Sequence, residues 1–317
     1  MVPIMLTYVL ARGFRWITGL IAVIFLTFTM LYYGGGNPID VMVNQGNSLD
    51  WPQARIDYMK ERFGYDQPFY IQFQKYVSNL LQGEFGYSVR AQRPVGPMMT
   101  ARVPVSVQLG LAAAFFTLII GIPLGLLAAY FHRRWPDSLI MGITITSQGV
   151  PEFVLGPMLT VLFVLWLGIL DVPVGWNGLF SAQLILPLIV LTIGSLPIIV
   201  RQTRSSVLDL AKSDYIRTAR AKGMSDTNIL LKHMLRPALI PVTTTAGLMI
   251  ISLVNGAIFV ETIFNIPGIG NLSRQATIAV DYPVVMALVI ITTLMVMVAN
   301  LLVDLCYPLI DPRIRRS

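Results

Sequence analysis

The chain has 317 residues, of which 55% are hydrophobic and only 12% charged. Soluble domains carry roughly 25% charged residues, so this composition excludes a water-bounded globular protein and makes the bilayer the solvent. The formal net charge is +7, with a pI of about 9.6 and a mean hydropathy of +0.68. The basic residues flank apolar runs, so membrane orientation accounts for them and a nucleic-acid partner is not implied. The lone Cys306 cannot form an internal disulfide and reads as a packing residue.

Six apolar runs come near the ~20 residues that a bilayer core requires: 16–33, 105–131, 139–167, 183–200, 238–260 and 284–305. The first follows Arg12 and Arg15, is long for a signal-peptide core, and is not followed by an A-x-A site, so it reads as a retained anchor. Between the first two runs lies the long loop 34–102. Pro52 and Pro68 there stand near the starts of two helical patterns. In the second pattern Phe69, Phe73, Tyr76 and Leu80 form one apolar stripe, and Gly83 suits its end. Such a stripe packs on its own protein, rests at the membrane surface or, less often, meets a partner.

In the second run Gly121, Pro123 and Gly125 permit close helix approach and a bend. The third run is too long for one straight crossing and contains Gly149, Pro151, Gly156 and Pro157. Pro151 removes a backbone donor and crowds the preceding turn, so a kink or break is expected there. Broken backbone at membrane depth is tolerated where it faces protein or a water-filled path. Glu152 sits at that break. It reads as a pathway-lining carboxylate, as a residue nearer the interface, or as one paired with a neighbouring subunit. Ser147, Gln148 and Asn255 are among the polar groups available to line the same path.

Placing the N-terminus inside puts 15 of the 23 Lys and Arg residues in cytoplasmic segments. Seven of the other eight fall in the long first loop, where the positive-inside rule has least force, and the eighth is Arg274. Both termini are therefore expected in the cytoplasm. The fourth and fifth runs then flank a basic cytoplasmic insert, DYIRTARAKGMSDTNILLKHMLRPALIP. Ser213 or Asp214 can cap a helix, the stretch after it is only about two turns long, and Gly223 permits the left-handed backbone that closes it. Ser225 can cap the next helix, and Pro237 marks entry into the following span. The apolar surface on this rod comes from Tyr215, Ile216, Ala219 and Ala221. A basic loop held at an anionic leaflet is the plainer account of the same composition.

The insert resembles the EAA-type cytoplasmic loop of bacterial ABC-importer permeases. Ala219 matches the family's second Ala, Gly223 its Gly and Pro241 its distal Pro, while Arg217 and Thr218 replace its Glu and first Ala. The wording is most similar to the dipeptide/oligopeptide/nickel branch. Gly194, Pro197, Arg201 and Arg204 upstream resemble that branch, as do Glu261, Phe264, Pro267, Gly268 and Gly270 downstream. So do Asp281-Tyr282-Pro283, Asp311-Pro312-Arg313 and the external FGYDQP…LLQGEFGYS passage, whereas a G-D-P motif is changed to Gly36-Asn37-Pro38.

The resemblance implies an all-α polytopic membrane protein of type I importer architecture: six transmembrane helices, a helical extracytoplasmic loop and a short cytoplasmic coupling helix. It implies residues 1–102 as first span plus external loop, and 103–317 as a permease core of five spans holding the coupling loop 201–237. The coupling residues carried over are Asp214, Tyr215, Ile216, Arg217, Thr218, Ala219, Arg220, Ala221, Lys222 and Gly223. Implied partners are a second homologous permease, two cytoplasmic P-loop ATPases that bind ATP and Mg, an extracytoplasmic substrate-binding protein, and a peptide substrate. The implied location is the bacterial inner membrane. The chain has no G-x-x-x-x-G-K-[ST] phosphate loop, so no catalytic residue or cofactor is expected in it.

His132 and His233 lie far apart without Cys nearby, which argues against a metal site. Glu261 reads as an outer-gate residue, as a binding-protein contact or as a helix-end carboxylate reaching the interface, and Gly268 and Gly270 as a fixed outer turn. Asp304 is expected to pair with a basic residue. A nickel or small-solute permease, an ion-coupled secondary transporter and a non-transporting scaffold remain as alternatives; the second is poorly served by a single mid-span carboxylate.

Overall fold

The computed structural model describes residues 2–35, 37, 39, 40, 43, 52–88 and 90–310. Gly36, Pro38 and Asp311-Pro312-Arg313 fall outside them, as do the side chains of Asn255, Asp304 and Cys306. In hydrocarbon a helix satisfies its backbone within one segment, and the apolar runs fold accordingly. Among the described residues five helical stretches are long and apolar enough to cross a membrane: Gly13–Gly34, Val95–Tyr130, Ala182–Leu210, Asp226–Ile263 and Tyr282–Val303. Trp135–Gln148 and Glu152–Trp166 form a sixth candidate, bent by 102° at the expected break.

The described residues divide into two compact units, 1–104 with 268–297, and 105–267 with 298–317. The first unit holds α1 (Val2–Gly34), α2 (Gln53–Phe63) and α3 (Phe69–Leu81). Pro52 and Pro68 stand just ahead of α2 and α3 with extended ψ of 139° and 156°, where a missing N–H costs nothing. The stripe on α3 packs inward. Phe73, Tyr76 and Leu80 join Ile24, Phe28, Met286 and Ile290, and Phe73 meets Phe25 edge-on with ring centroids 5.5 Å apart. Gly83, at φ 82°, follows the helix; its N–H bonds to the Leu80 carbonyl and that of Glu84 to Asn79, which closes the last turn.

A two-residue hairpin, β1 (Tyr87–Ser88) against β2 (Arg93–Pro94), then leads directly into α4 (Val95–Tyr130). Val95, Met98 and Met99 of α4 pack on Ile269 and Leu272 of α11 (Ile269–Ile278) and on Val284, Ala287 and Leu288 of α12 (Tyr282–Ile310). Asp281 precedes α12, is buried, and accepts a hydrogen bond from the Ser88 hydroxyl. Gly268 and Gly270, expected as a fixed turn, instead start α11: Gly268 is its N-cap, with its carbonyl accepting from Leu272 N–H.

The second unit contains the rest of α4, then α5 (Trp135–Gln148), α6 (Glu152–Thr160), α7 (Ile185–Leu210), α8 (Asp214–Ala221), α9 (Leu235–Gly256) and α10 (Ile258–Ile263). Its core joins Leu109, Ala113, Leu155, Leu159, Val190, Leu191, Ile199, Val242, Met249, Val260 and Phe264. The glycines of α4 set the spacing. A Cβ on Gly121 would come 2.9 Å from Ile199 Cγ2, and one on Gly125 would come 2.6 Å from Thr203 Cβ and 2.8 Å from the Val200 carbonyl oxygen. Small residues four apart let two backbones approach in this way. Gly110 does the same against the backbone of Val254, at 2.9 Å.

The insert after α8 differs from a simple helix–reversal–helix–span sequence. The second helix runs into the span as one stretch, Asp226–Ile263, and widens to a π turn over Ile229–Met234. Pro237 explains the widening: its missing N–H frees the carbonyl of His233, which lies inside that turn.

Replacing Gly125 by Leu is expected to force α4 away from α7 against backbone that cannot yield. The cost should be about 1–3 kcal/mol or more, read as a lower melting temperature in detergent, whereas Gly142→Ala, with open space around it, should leave stability unchanged.

Candidate functional site

Two features of the second unit carry functional meaning: the short helix α8 and the broken third segment. α8 follows a turn in which Ser213 takes an extended backbone, φ −73° and ψ 150°. Its hydroxyl does not cap the helix, as the sequence suggested, but donates 2.6 Å back to the Leu210 carbonyl and fastens α8 to the end of α7. At the far end Gly223 has φ 77°, as expected of a left-handed closing residue. Its N–H bonds to the Arg220 carbonyl at 2.9 Å and that of Met224 to the Ala219 carbonyl at 3.3 Å. A side chain at Gly223 would meet nothing within 4 Å, so the demand for Gly there is conformational alone.

α8 has two sharply different faces. Ile216 is fully buried and Ala219 nearly so, rooted among Ala129, Val207, Ile229, Met234 and Ala238. These two residues cannot supply contact surface, which corrects the sequence reading for them. Asp214, Tyr215, Arg217, Thr218, Arg220, Ala221, Lys222 and Gly223 are all exposed. Arg217 pairs with Asp214 at 3.4 Å and Arg220 with Asp226 at 3.5 Å; exposed pairs of this kind contribute little to stability.

Beside this root lies an ion pair that the sequence reading missed. Asp137, in the first turn of α5, is 4% exposed. Arg204 of α7 grips it with two bonds, Nε to Oδ1 at 2.7 Å and Nη2 to Oδ2 at 2.8 Å, and the Arg133 N–H donates to Oδ2 at 3.0 Å. His132 Nδ1 lies 3.3 Å from Asp137 Oδ2 and 3.1 Å from Arg204 Nη2, and can serve one of them at a time. The fork geometry makes this the strong form of a charged hydrogen bond. It ties the α4–α5 turn and the start of α5 to α7, one helix before α8. The available signal is a solitary acid at a helix start, just after Arg133 and Arg134.

At the break, Pro151 takes an extended backbone and Glu152 opens α6. Glu152 is half-buried and lies over Gly194 of α7, where an added Cβ would meet its Oε1 at 3.0 Å. Gly194 therefore makes room for this carboxylate. Gln148 is exposed at the end of α5, and Ser147 is half-buried with its hydroxyl donating to the Thr144 carbonyl at 2.9 Å. The structure places these three near one break in the chain; Asn255 lies outside the described side chains. Glu261 is buried rather than reaching an interface and accepts a 2.5 Å hydrogen bond from Ser106 of α4.

A helical membrane protein with a sharply bent third segment and a short basic helix between two crossings has the architecture of an importer permease. The model of the binding-protein-dependent transport system inner membrane component family matches residues 121–316, and the chain belongs to that family. It is 36% identical over 318 residues to the glutathione transport system permease protein GsiC of Salmonella paratyphi A, covering 98% of this chain and 99% of that one. It is 37% identical over 328 residues to the oligopeptide transport system permease protein AppB of Bacillus subtilis, with the same shares covered. Among solved structures, an inward-facing MetNI methionine ABC transporter matches with a TM-score of 0.58 at 18% identity, over 68% of this chain and 96% of that one. The chain is thus a multi-pass inner-membrane permease subunit of an ABC importer, and the ion-coupled secondary transporter is not favoured.

Asp137→Asn removes the charge that Arg204 grips. It is expected to destabilise the second unit by about 1–3 kcal/mol, since it takes a charged hydrogen-bond partner from Arg204, which is only part-buried. Arg204→Lys, which keeps the charge and loses the fork, should cost less. Thermal unfolding of the detergent-purified variants measures both, and equal stability of Asp137→Asn and wild type would remove the pair from any structural role.

Proposed function

We propose that the chain forms, with a second homologous permease, the membrane path of an ATP-driven importer of peptides, and that α8 is the helix through which two cytoplasmic P-loop ATPases move it. The observation that carries this reading is the construction of α8. Two residues root it in the core at the base of α7 and α9, and the other positions point outward from a helix too short to stand alone. A rod anchored at both ends to membrane-crossing helices converts a push on its exposed face into displacement of those helices.

The Asp137–Arg204 fork extends the connection to α5, which ends at the break beside Glu152. In this reading ATP and Mg bind the partner ATPases, and the chain itself catalyses nothing. The peptide assignment is supported by the relatives whose names give glutathione and oligopeptides as cargo. An extracytoplasmic binding protein delivers the cargo, consistent with the family's description. Both termini and α8 then lie in the cytoplasm, where the positive-inside rule places them. Glu152, Ser147, Gln148 and Asn255 are proposed to line the path.

The test is ATP-dependent peptide uptake by vesicles containing the chain with its second permease, ATPases and binding protein. Gly223→Val places a β-branched residue at positive φ, a strain of about 1–2 kcal/mol or more. It should reduce uptake several-fold and weaken ATPase attachment while the chain still inserts and folds. Arg217→Glu, on the exposed face and without backbone strain, should act in the same direction. Full uptake and normal ATPase attachment in both variants would end the coupling role of α8, and uptake that persists without the ATPases would end the importer reading itself.

A further inference from the structure

Four arginines of the first unit converge on one cavity of about 460 Å³. Arg90 comes from the hairpin turn, Arg93 from β2, Arg102 from α4 and Arg274 from α11. Arg90, Arg93 and Arg274 are exposed and Arg102 is half-buried. One carboxylate lies on the wall, that of Asp281; it is buried, taken up by the Ser88 hydroxyl, and pushed above the ordinary carboxylate range by burial. The remaining wall is largely apolar, with Met98, Leu272 and Val284.

Under the proposed orientation eight Lys and Arg residues lie outside the membrane. Half of them meet here, and all of these are arginine. The two external lysines lie elsewhere, Lys60 on Asp40 at 2.6 Å. Guanidinium groups gathered round one cavity repel each other, and their planar forks match the geometry of carboxylate or phosphate.

The length of α4 separates the two kinds of anion. Its 36 residues make about 54 Å of helix, and about 51 Å at an ordinary tilt of about 20°. A bilayer with its headgroups is ~40–45 Å thick. The inner end of α4 is followed by Arg133 and Arg134, so the excess length lies at the outer end, where the hairpin with Arg90 and Arg93 precedes Val95. On that placement Arg90 and Arg93 would stand beyond the lipid phosphates and face water.

We infer that this cavity is a docking seat for acidic side chains on the extracytoplasmic protein that delivers cargo to the permease. The inference rests on the importer reading and on the orientation given above. It accounts for the hairpin: a tight turn paired at Tyr87–Pro94 and Ser88–Arg93 holds two of the four cations against α4 and α11. Charge pairing of this kind speeds encounter and fixes register more than it adds affinity.

The test uses the full-length chain in nanodiscs of zwitterionic lipid, with a fluorescent hexaglutamate peptide as probe. The peptide should bind in a salt-sensitive manner. The triple variant Arg90→Gln, Arg93→Gln, Arg274→Gln should weaken it by about tenfold or more. Arg55→Gln, Arg62→Gln, Lys75→Gln, which removes as many external charges elsewhere, should leave binding within about twofold. Absence of binding, or equal loss in both triple variants, overturns the inference. So does displacement of the peptide by phosphatidylglycerol in the discs through the same three arginines, which would assign the cavity to lipid. The assay involves no ATPase and no transport, so its failure beside normal uptake removes only the docking seat, and failed uptake beside normal binding counts against the importer reading alone.

Discussion

Hydrocarbon offers no partner to a backbone N–H or C=O, so every departure from helix within the membrane has to be covered by the protein itself. The break in the third segment shows how this chain meets that demand. Gly149 N–H reaches the Thr146 carbonyl at 3.1 Å and Val150 N–H the Ser147 carbonyl at 3.3 Å, which closes α5. Pro151 has no N–H to satisfy, and its carbonyl accepts from Val154 and Leu155 to open α6. The chain thus turns through 102° with its donors nearly all spent. The groups left over are the first N–H groups of α6, at Glu152.

The same economy governs packing. Lipid tails are as apolar as Leu, so helices in a membrane gain from close contact rather than from leaving water. Gly121 and Gly125 let α4 approach α7, Gly110 lets it approach α9, and Gly194 leaves room on α7 for Glu152. These contacts make α4, α7 and α9 neighbours, and α8 hangs between the end of α7 and the start of the stretch that becomes α9. The position of α8 follows from glycines within the spans as much as from its own sequence.

Much of this was legible in the residues. Period and length mark the apolar runs, Pro151 marks the break, and the left-handed Gly223 and the packing role of Gly121 and Gly125 follow from what glycine permits. The inward stripe on α3 was equally visible. The long-range polar pairs were not. Ser106 with Glu261, Ser88 with Asp281 and Asp137 with Arg204 join positions far apart in the chain, and periodicity reports only which face of a helix is apolar. For that reason the sequence leaves Glu261 open between an outer-gate or binding-protein contact and a helix-end carboxylate, and only the structure shows it buried on Ser106. Ile216 and Ala219 look like contact surface in the sequence because a two-turn helix gives no internal sign of which side is covered.

Those three polar pairs also bear on how the chain can diverge. Each sets a carboxylate with little access to water against a side-chain donor distant in sequence, in a place where a lone replacement leaves a polar group short of a partner. Drift at Asp137 is therefore bound to drift at Arg204, and likewise for Ser106 with Glu261 and Ser88 with Asp281. Descendant lineages should alter such positions jointly or keep both, while the outward residues of α8 are free to follow whatever partner they meet.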